Sequence, residues 1–328
     1  MISKKLKLYT GEWSFYHFGD RFVPDGYFNN LPIEEQLEIL SKIEGLEGFG
    51  PIFPTVTHTN DPHDFVKLLN NYNLKVGPIL VDIYGSKKWK NGSLSSNDEK
   101  VRKECIKLIK DAIDYAAEIP GSIVETWPGQ DGYDYAFQTD YISSWKHMVE
   151  SYHELCEYNP KVKVAVEFKR KEPRQKIFIC DVGTMIMLFQ DVGMDNLTGI
   201  LDTGHAFMSH ESLVEDIALL DKDNKLDIVH LNDNYRDADP DLIYGTCILW
   251  ENLEMFYYLN KVNFEGWYEI EFGAPKEDRI KSLRLTVSMI HKYKELADKI
   301  GEYSNEIDNN LKRYDYLGNM NLISDLIF

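Results

Sequence analysis

Four short apolar runs in this chain each end in residues that can hold a metal or move a proton. Val162-Lys-Val-Ala-Val runs into Glu167-Phe-Lys169, and Leu197-Thr-Gly-Ile-Leu runs into Asp202-Thr-Gly-His205. Leu226-Asp-Ile-Val runs into His230, and Trp267-Tyr runs into Glu269-Ile-Glu271. A charge at the end of a buried strand is costly unless it is paired. A divalent cation at the centre of the set removes that cost. Taken singly, Glu167 reads as an ordinary rim carboxylate, His205 as a hydrogen-bonded loop histidine and His230 as a cap on the strand ends. The metal expectation comes from the four together. Glu269 and Glu271 alternate along their strand, so only one of the two is expected to face inward. Asp239-Pro-Asp241-Leu-Ile-Tyr-Gly245 follows as a second acidic cluster. With Asp202 and His205, Asp239 and Asp241 could hold a second ion, and paired cations sharing a carboxylate are an established catalytic device. The plainer reading of that cluster is a solvated loop.

Such residues converge only if their elements are parallel strands. Eight β-rich runs are predicted: Leu6–Phe15, Leu46–Val56, Lys75–Tyr84, Ser122–Trp127, Val162–Lys169, Leu197–Thr203, Leu226–Asn232 and Trp267–Phe272. Several are apolar on both faces, as buried parallel strands are. Helical stretches lie between them, among them Pro32–Ile43, Asn97–Ala117 and Lys276–Ala297. The alternation predicts an α/β fold, a (β/α)8 TIM barrel with its site at the carboxyl ends of the strands, with a doubly wound sheet as the alternative. No linker divides residues 1–300, a single catalytic domain. Residues 301–328 turn polar and Asn-rich and end in Leu-Ile-Ser-Asp-Leu-Ile-Phe. They are expected to form a C-terminal arm whose apolar tip packs on a neighbouring subunit, or else a frayed tail.

The 328 residues carry a formal charge of −18, which argues against nucleic acid or an anionic membrane as partner. Four scattered cysteines form no CxxC pair, which suits a reducing compartment and speaks against a thiolate zinc site. The N-terminus has no apolar core of signal-peptide length, and no apolar run reaches the roughly 20 residues of a membrane span. A cytoplasmic protein is expected. Gly45-Leu-Glu-Gly48-Phe-Gly50 is not a dinucleotide fingerprint, and no phosphate-binding loop is present, so no nucleotide cofactor is expected.

Over residues 6–298 the sequence resembles the xylose isomerase-like TIM barrels of sugar isomerases and epimerases. Glu167-Phe-Lys169-Arg-Lys-Glu172-Pro-Arg174 is similar to the family's E-P-K-P-x-E-P-R run, whose first Glu binds metal and whose Lys contacts substrate. Asp202-Thr-Gly-His205 resembles its acid-x-x-His step, and Asp239-Pro-Asp241-Leu-Ile-Tyr-Gly245 its D-x-D-L-x-F-G motif. The resemblance implies metal ligands Glu167, Asp202, His205, His230, Asp239, Asp241 and Glu271, and two divalent ions per chain. Where xylose isomerases place Asp, this chain has His230 and Glu271. Glu167, Asp202, His230 and Glu271 form the pattern of ketose 3-epimerases, and L-rhamnose isomerases also use His at the third position. The imidazole shifts the expected ion from Mg2+ toward Mn2+ or Co2+.

The implied reaction is aldose–ketose isomerisation of a free monosaccharide by hydride shift. Lys169 would polarise the oxygen at C1. His58, oriented by Asp61, would act as acid/base for ring opening. Trp127, with Trp13 or Phe15, would wall the sugar against water, beside Lys169 and His205. The alternative is a one-metal ketose 3-epimerase with Glu167 and Glu271 as paired acid/base groups, which has no need of Asp239 and Asp241. A DNA-repair nuclease of the same fold is disfavoured by the charge and by the few strand-end histidines. A non-catalytic sugar-binding module would not require Lys169. Family analogy implies a homodimer or homotetramer.

Overall fold

The computed structural model describes residues 5–54 and 61–328. The strands are β1 (Lys7–Gly11), β2 (Gly48–Gly50), β3 (Ile52–Phe53), β4 (Lys75–Val76), β5 (Ile79–Val81), β6 (Ile123–Thr126), β7 (Gly132–Tyr133), β8 (Lys163–Glu167), β9 (Lys176–Ile177), β10 (Leu197–Asp202), β11 (Leu226–Leu231) and β12 (Trp267–Ile270). Ten of them form one parallel sheet in the order β3-β5-β6-β8-β10-β11-β12-β1-β2-β4. β2 and β3 are one pass of the chain, interrupted at Pro51, and β4 and β5 are another, interrupted at Gly77-Pro78. Proline has no N–H for the ladder. Gly77 N–H donates to the Phe49 carbonyl and Leu80 N–H to the Pro51 carbonyl, which carries the pairing across both breaks. The two ends of the strand order therefore belong to neighbouring passes, and the sheet closes on itself as the expected barrel. β7 and β9 form a small antiparallel pair apart from it.

Helices join the strands and cover the barrel, several capped by the carboxylate that precedes them. Asp98 accepts from Lys100 N–H, Asp140 from Ile142 and Ser143 N–H, and Asp278 from Lys281 N–H. Each cap is worth about 1 kcal/mol. The main core lies between sheet and helices. A smaller apolar cluster of Tyr9, Ile123, Ala165, Ile200 and Ile228, with Trp267 packed on it, fills the inside of the barrel. Strand period sets what stands above it. Two residues beyond Ile123, Ala165, Ile200, Ile228 and Trp267 come Glu125, Glu167, Asp202, His230 and Glu269.

Beyond Gly301 the chain stays helical, in Ser304–Lys312 and Tyr316–Ile327. Asn310 is buried and donates to Asn319 Oδ1 at 2.9 Å, and Asp315 caps the last helix through Gly318 N–H. Leu322, Ile323, Leu326 and Ile327 pack on the core, while Leu317, Met320 and Phe328 are exposed. Among the described residues no helix is long and apolar enough to cross a membrane.

Candidate metal centre and active site

The carboxyl ends of β8, β10, β11 and β12 bring Glu167, Asp202, His230 and Glu271 together, with one donor atom from each within 4.8 Å of the others. His230 Nδ1 lies 3.3 Å from Glu167 Oε1, 3.4 Å from Glu271 Oε2 and 3.8 Å from Asp202 Oδ2. His230 Nδ1 and Glu167 Oε1 are buried, and neither has a hydrogen-bond partner. Buried polar atoms are rarely left this way. Three carboxylates and one imidazole, with two donors aimed inward and unsatisfied, fit a divalent cation.

Asp202 holds this group to the next. It caps the helix Thr203–Ser209, its Oδ1 accepting His205 N–H at 2.6 Å, while its Oδ2 accepts from Asn232 Nδ2 at 2.8 Å. Asp202, His205 and Asp239 form a second group of donors, again within 4.8 Å, so Asp202 is common to both. His205 Nε2 is 2.9 Å from Asp239 Oδ2, and its Nδ1 is 2.9 Å from the Phe168 carbonyl and 3.1 Å from Glu167 Oε1. Lys169 Nζ donates to the same Asp239 oxygen at 2.8 Å and stands 5.3 Å from the centre of the Trp127 ring. Asp241 does not enter either group among the described residues. Its φ is 48°, and its carbonyl accepts Gly273 N–H at 2.6 Å.

The electrostatics follow from this packing. Burial pushes the Glu167 carboxyl up, but His205 and His230 outweigh it and hold Glu167 well below the usual carboxylate range. Burial opposes the charge on Lys169, yet Asp239 and Asp241 outweigh it and raise Lys169 above its ordinary value, so it stays an ammonium. Burial raises Asp239 too, but His205 and Lys169 bring it far below its usual value. Asp202 is raised by burial against the pull of His205, with Glu271 and Asp239 adding to the rise.

Other expected residues are placed differently. Glu269 and Glu271 both face His230, with Glu269 Oε2 3.1 Å from Nε2. The expectation that only one faces inward is corrected: residues two apart on a strand share a side. Trp13 donates its indole N–H to Glu269 Oε1 at 2.9 Å. Phe15 is 1% exposed and sits in the main core cluster. Asp61 caps the helix Pro62–Asn70, accepting His63 N–H at 2.8 Å. His58 lies outside the described residues. Sequence reasoning missed Glu125 and Tyr9, which gather with Glu269 on the Nε2 side of His230. Glu125 Oε1 is 3.3 Å from His230 Nε2, and Tyr9 donates to Glu269. The parity of Ile123 and Glu125 on β6 was the available signal.

The fold has clear counterparts. Among solved structures, L-ribulose 3-epimerase superposes with a TM-score of 0.72 at 13% identity, covering 91% of this chain and 98% of that one. A D-tagatose 3-epimerase-like protein gives 0.68 at 18% identity, covering 90% and 99%. The 3-keto-D-glucoside 4-epimerase of E. coli gives 0.68 at 16%, covering 88% and 100%. At these identities the likeness concerns the fold. In sequence, the chain is 25% identical to the xylose isomerase of Thermus thermophilus over 201 residues, 60% of this chain. It spans about half of that relative's length, 51%. The family model for xylose isomerase-like TIM barrels matches residues 37–292, and the chain belongs to that family.

Proposed function

We propose that the protein is a divalent-metal-dependent aldose–ketose isomerase acting on a free monosaccharide. The observation that carries this reading is Asp202, one carboxylate common to two donor groups, with the buried Lys169 ammonium beside the second. Glu167, Asp202, His230 and Glu271 would hold one cation; Asp202, His205 and Asp239 would hold another. Bound there, such ions supply Lewis acidity toward neighbouring sugar oxygens and make a hydroxyl proton easier to remove. Lys169 stays protonated and donates to the oxygen at C1, where negative charge develops as hydride passes between C1 and C2. Asp239, next to Lys169 and His205, would relay the proton that leaves the C2 hydroxyl on to the oxygen at C1, where it completes the new hydroxyl. Trp127 lies against Lys169 and keeps water from that ammonium.

A second reading rests on a specific contact. Asp239 Oδ2 already accepts from Lys169 and lies 2.9 Å from His205 Nε2, which leaves that oxygen little capacity for an ion. With a single cation, Glu167 and Glu271 become paired acid/base groups of a ketose 3-epimerase, the activity named for several of the structural neighbours. A panel of free aldoses and ketoses with Mn2+ in D2O, followed by NMR, separates the two. An aldose–ketose pair forming without deuterium at the transferred position supports the isomerase. Inversion at C3 with deuterium entering there replaces it with the epimerase.

A further inference from the structure

Glu269 is 4% exposed, and both its oxygens are engaged. Oε1 accepts the Trp13 indole N–H at 2.9 Å, and Oε2 accepts the Tyr9 hydroxyl. The register explains the meeting: Glu269 stands opposite Tyr9 of β1 on one side and opposite His230 of β11 on the other. A carboxylate held at both oxygens cannot swing away from its neighbour, and that neighbour is His230 Nε2 at 3.1 Å. Glu125 Oε1 faces the same nitrogen at 3.3 Å. Nε2 is buried, within reach of both carboxylates and aligned with neither, while Nδ1 faces Glu167, Asp202 and Glu271.

We propose that Glu269, anchored by Trp13 and Tyr9, is a positioning residue that keeps the His230 proton on Nε2 and so turns the Nδ1 lone pair toward the four-donor group. A neutral imidazole can offer a lone pair on one nitrogen only when the other carries the proton. Acceptors behind a ligating histidine fix that choice and the orientation of the ring. Trp13 thereby acts through Glu269, in addition to any contact with sugar. The inference rests on reading the four-donor group as a cation site.

The test is Mn2+ binding to the sugar-free protein, with free and bound ion measured by electron paramagnetic resonance. Glu269→Gln is expected to weaken Mn2+ binding by roughly 10- to 100-fold and to change the zero-field splitting of the bound ion. Trp13→Phe leaves the carboxylate in place but frees one oxygen, and is expected to weaken binding by about 3- to 10-fold. Circular dichroism and thermal melts in EDTA show whether each variant folds; if Glu269→Gln does not, Trp13→Phe decides. A Trp13 that only walls the sugar, or only packs, would raise KM or lower the EDTA melting temperature and leave Mn2+ affinity unchanged. Wild-type affinity and spectrum in the folded variants overturn the inference. A wild-type protein that binds no Mn2+ overturns the cation site itself, and the inference with it.

Discussion

Gly204 touches no ligand directly through a side chain, yet replacing it should disable the site. A Cβ at this position would stand 2.1 Å from Asn232 Oδ1, 2.6 Å from Asp239 Oδ1 and 2.9 Å from Asn234 Nδ2. To regain an ordinary 3.4 Å contact, the Asn232 oxygen must retreat by about 1.3 Å and the Asp239 oxygen by about 0.8 Å. Asn232 is the donor to Asp202 Oδ2, so moving it frees the shared carboxylate. Asn234, which donates to the Gly204 carbonyl, is pushed as well. Helix propensity alone favours Ala over Gly by up to about 1 kcal/mol. Overpacking costs about 1–3 kcal/mol, and losing a hydrogen bond to a carboxylate about 1.5–3 kcal/mol. The balance for Gly204→Ala is a loss of about 1.5–5 kcal/mol, read as a fall in Tm of roughly 2–7 °C. Misplacing Asp239 and Asp202 by about 1 Å should lower kcat/KM by roughly a hundredfold. Thermal unfolding and the sugar-conversion assay measure the two effects. A Tm equal to or above the wild type, with full activity, would show that the Gly204 environment does not hold the site.

Lys169→Met removes the ammonium beside Asp239 while keeping its volume. The proposed isomerase should lose roughly 10²- to 10³-fold in kcat, with fold retained by circular dichroism. Asp239→Asn combined with Asp241→Asn should reduce the Mn2+ stoichiometry by one and abolish aldose–ketose conversion; persistent turnover with one ion bound would favour the epimerase. Away from the site, burial, with Glu211, Glu215 and Asp181 adding repulsion, pushes the Asp216 carboxyl up to about 8. Between about pH 4 and 8 the folded chain therefore holds a proton that the unfolded chain has released, and stability falls as pH rises through that window. Asp216→Asn should flatten that decline in urea titrations across pH, raising stability at pH 8 by a few kcal/mol, on the order of what one shifted group contributes; an unchanged slope would refute the assignment.

Much of this site was legible because parallel strands write it in a simple code. An apolar run broken by Glu167, Asp202 or His230 states both a strand and its end, and barrel closure does the rest. The strand limits were less legible. Glu12–Phe15 form a turn of 3-10 helix rather than extending the first strand, and proline splits two others. The inward pair Glu269 and Glu271 follows from the strand period of two, which puts both on one side. Glu125 was hidden for another reason. Ile123-Val-Glu-Thr shows one acid in a short strand, and nothing local says that it lies at the level of His230. Only the closed barrel, which brings Glu125 Oε1 within 3.3 Å of His230 Nε2, supplies that. The helices beyond Gly301 were obscured by their Asn-rich composition, since buried Asn310 looks like any loop asparagine until its partner Asn319 is in place.

The apolar cluster inside the barrel makes the vessel a cup rather than a tube. Tyr9, Ile123, Ala165, Ile200 and Ile228 are each at most 7% exposed, and Trp267 packs across them. Among the described residues this layer fills the barrel below Glu125 and His230, so an ion or sugar held at the proposed site would come and go by the carboxyl end. Traffic through a single doorway is ordered: what rests deepest enters first and leaves last. A sugar lying above the His230 level would then act as a stopper on whatever it covers, slowing its escape in proportion to its own occupancy.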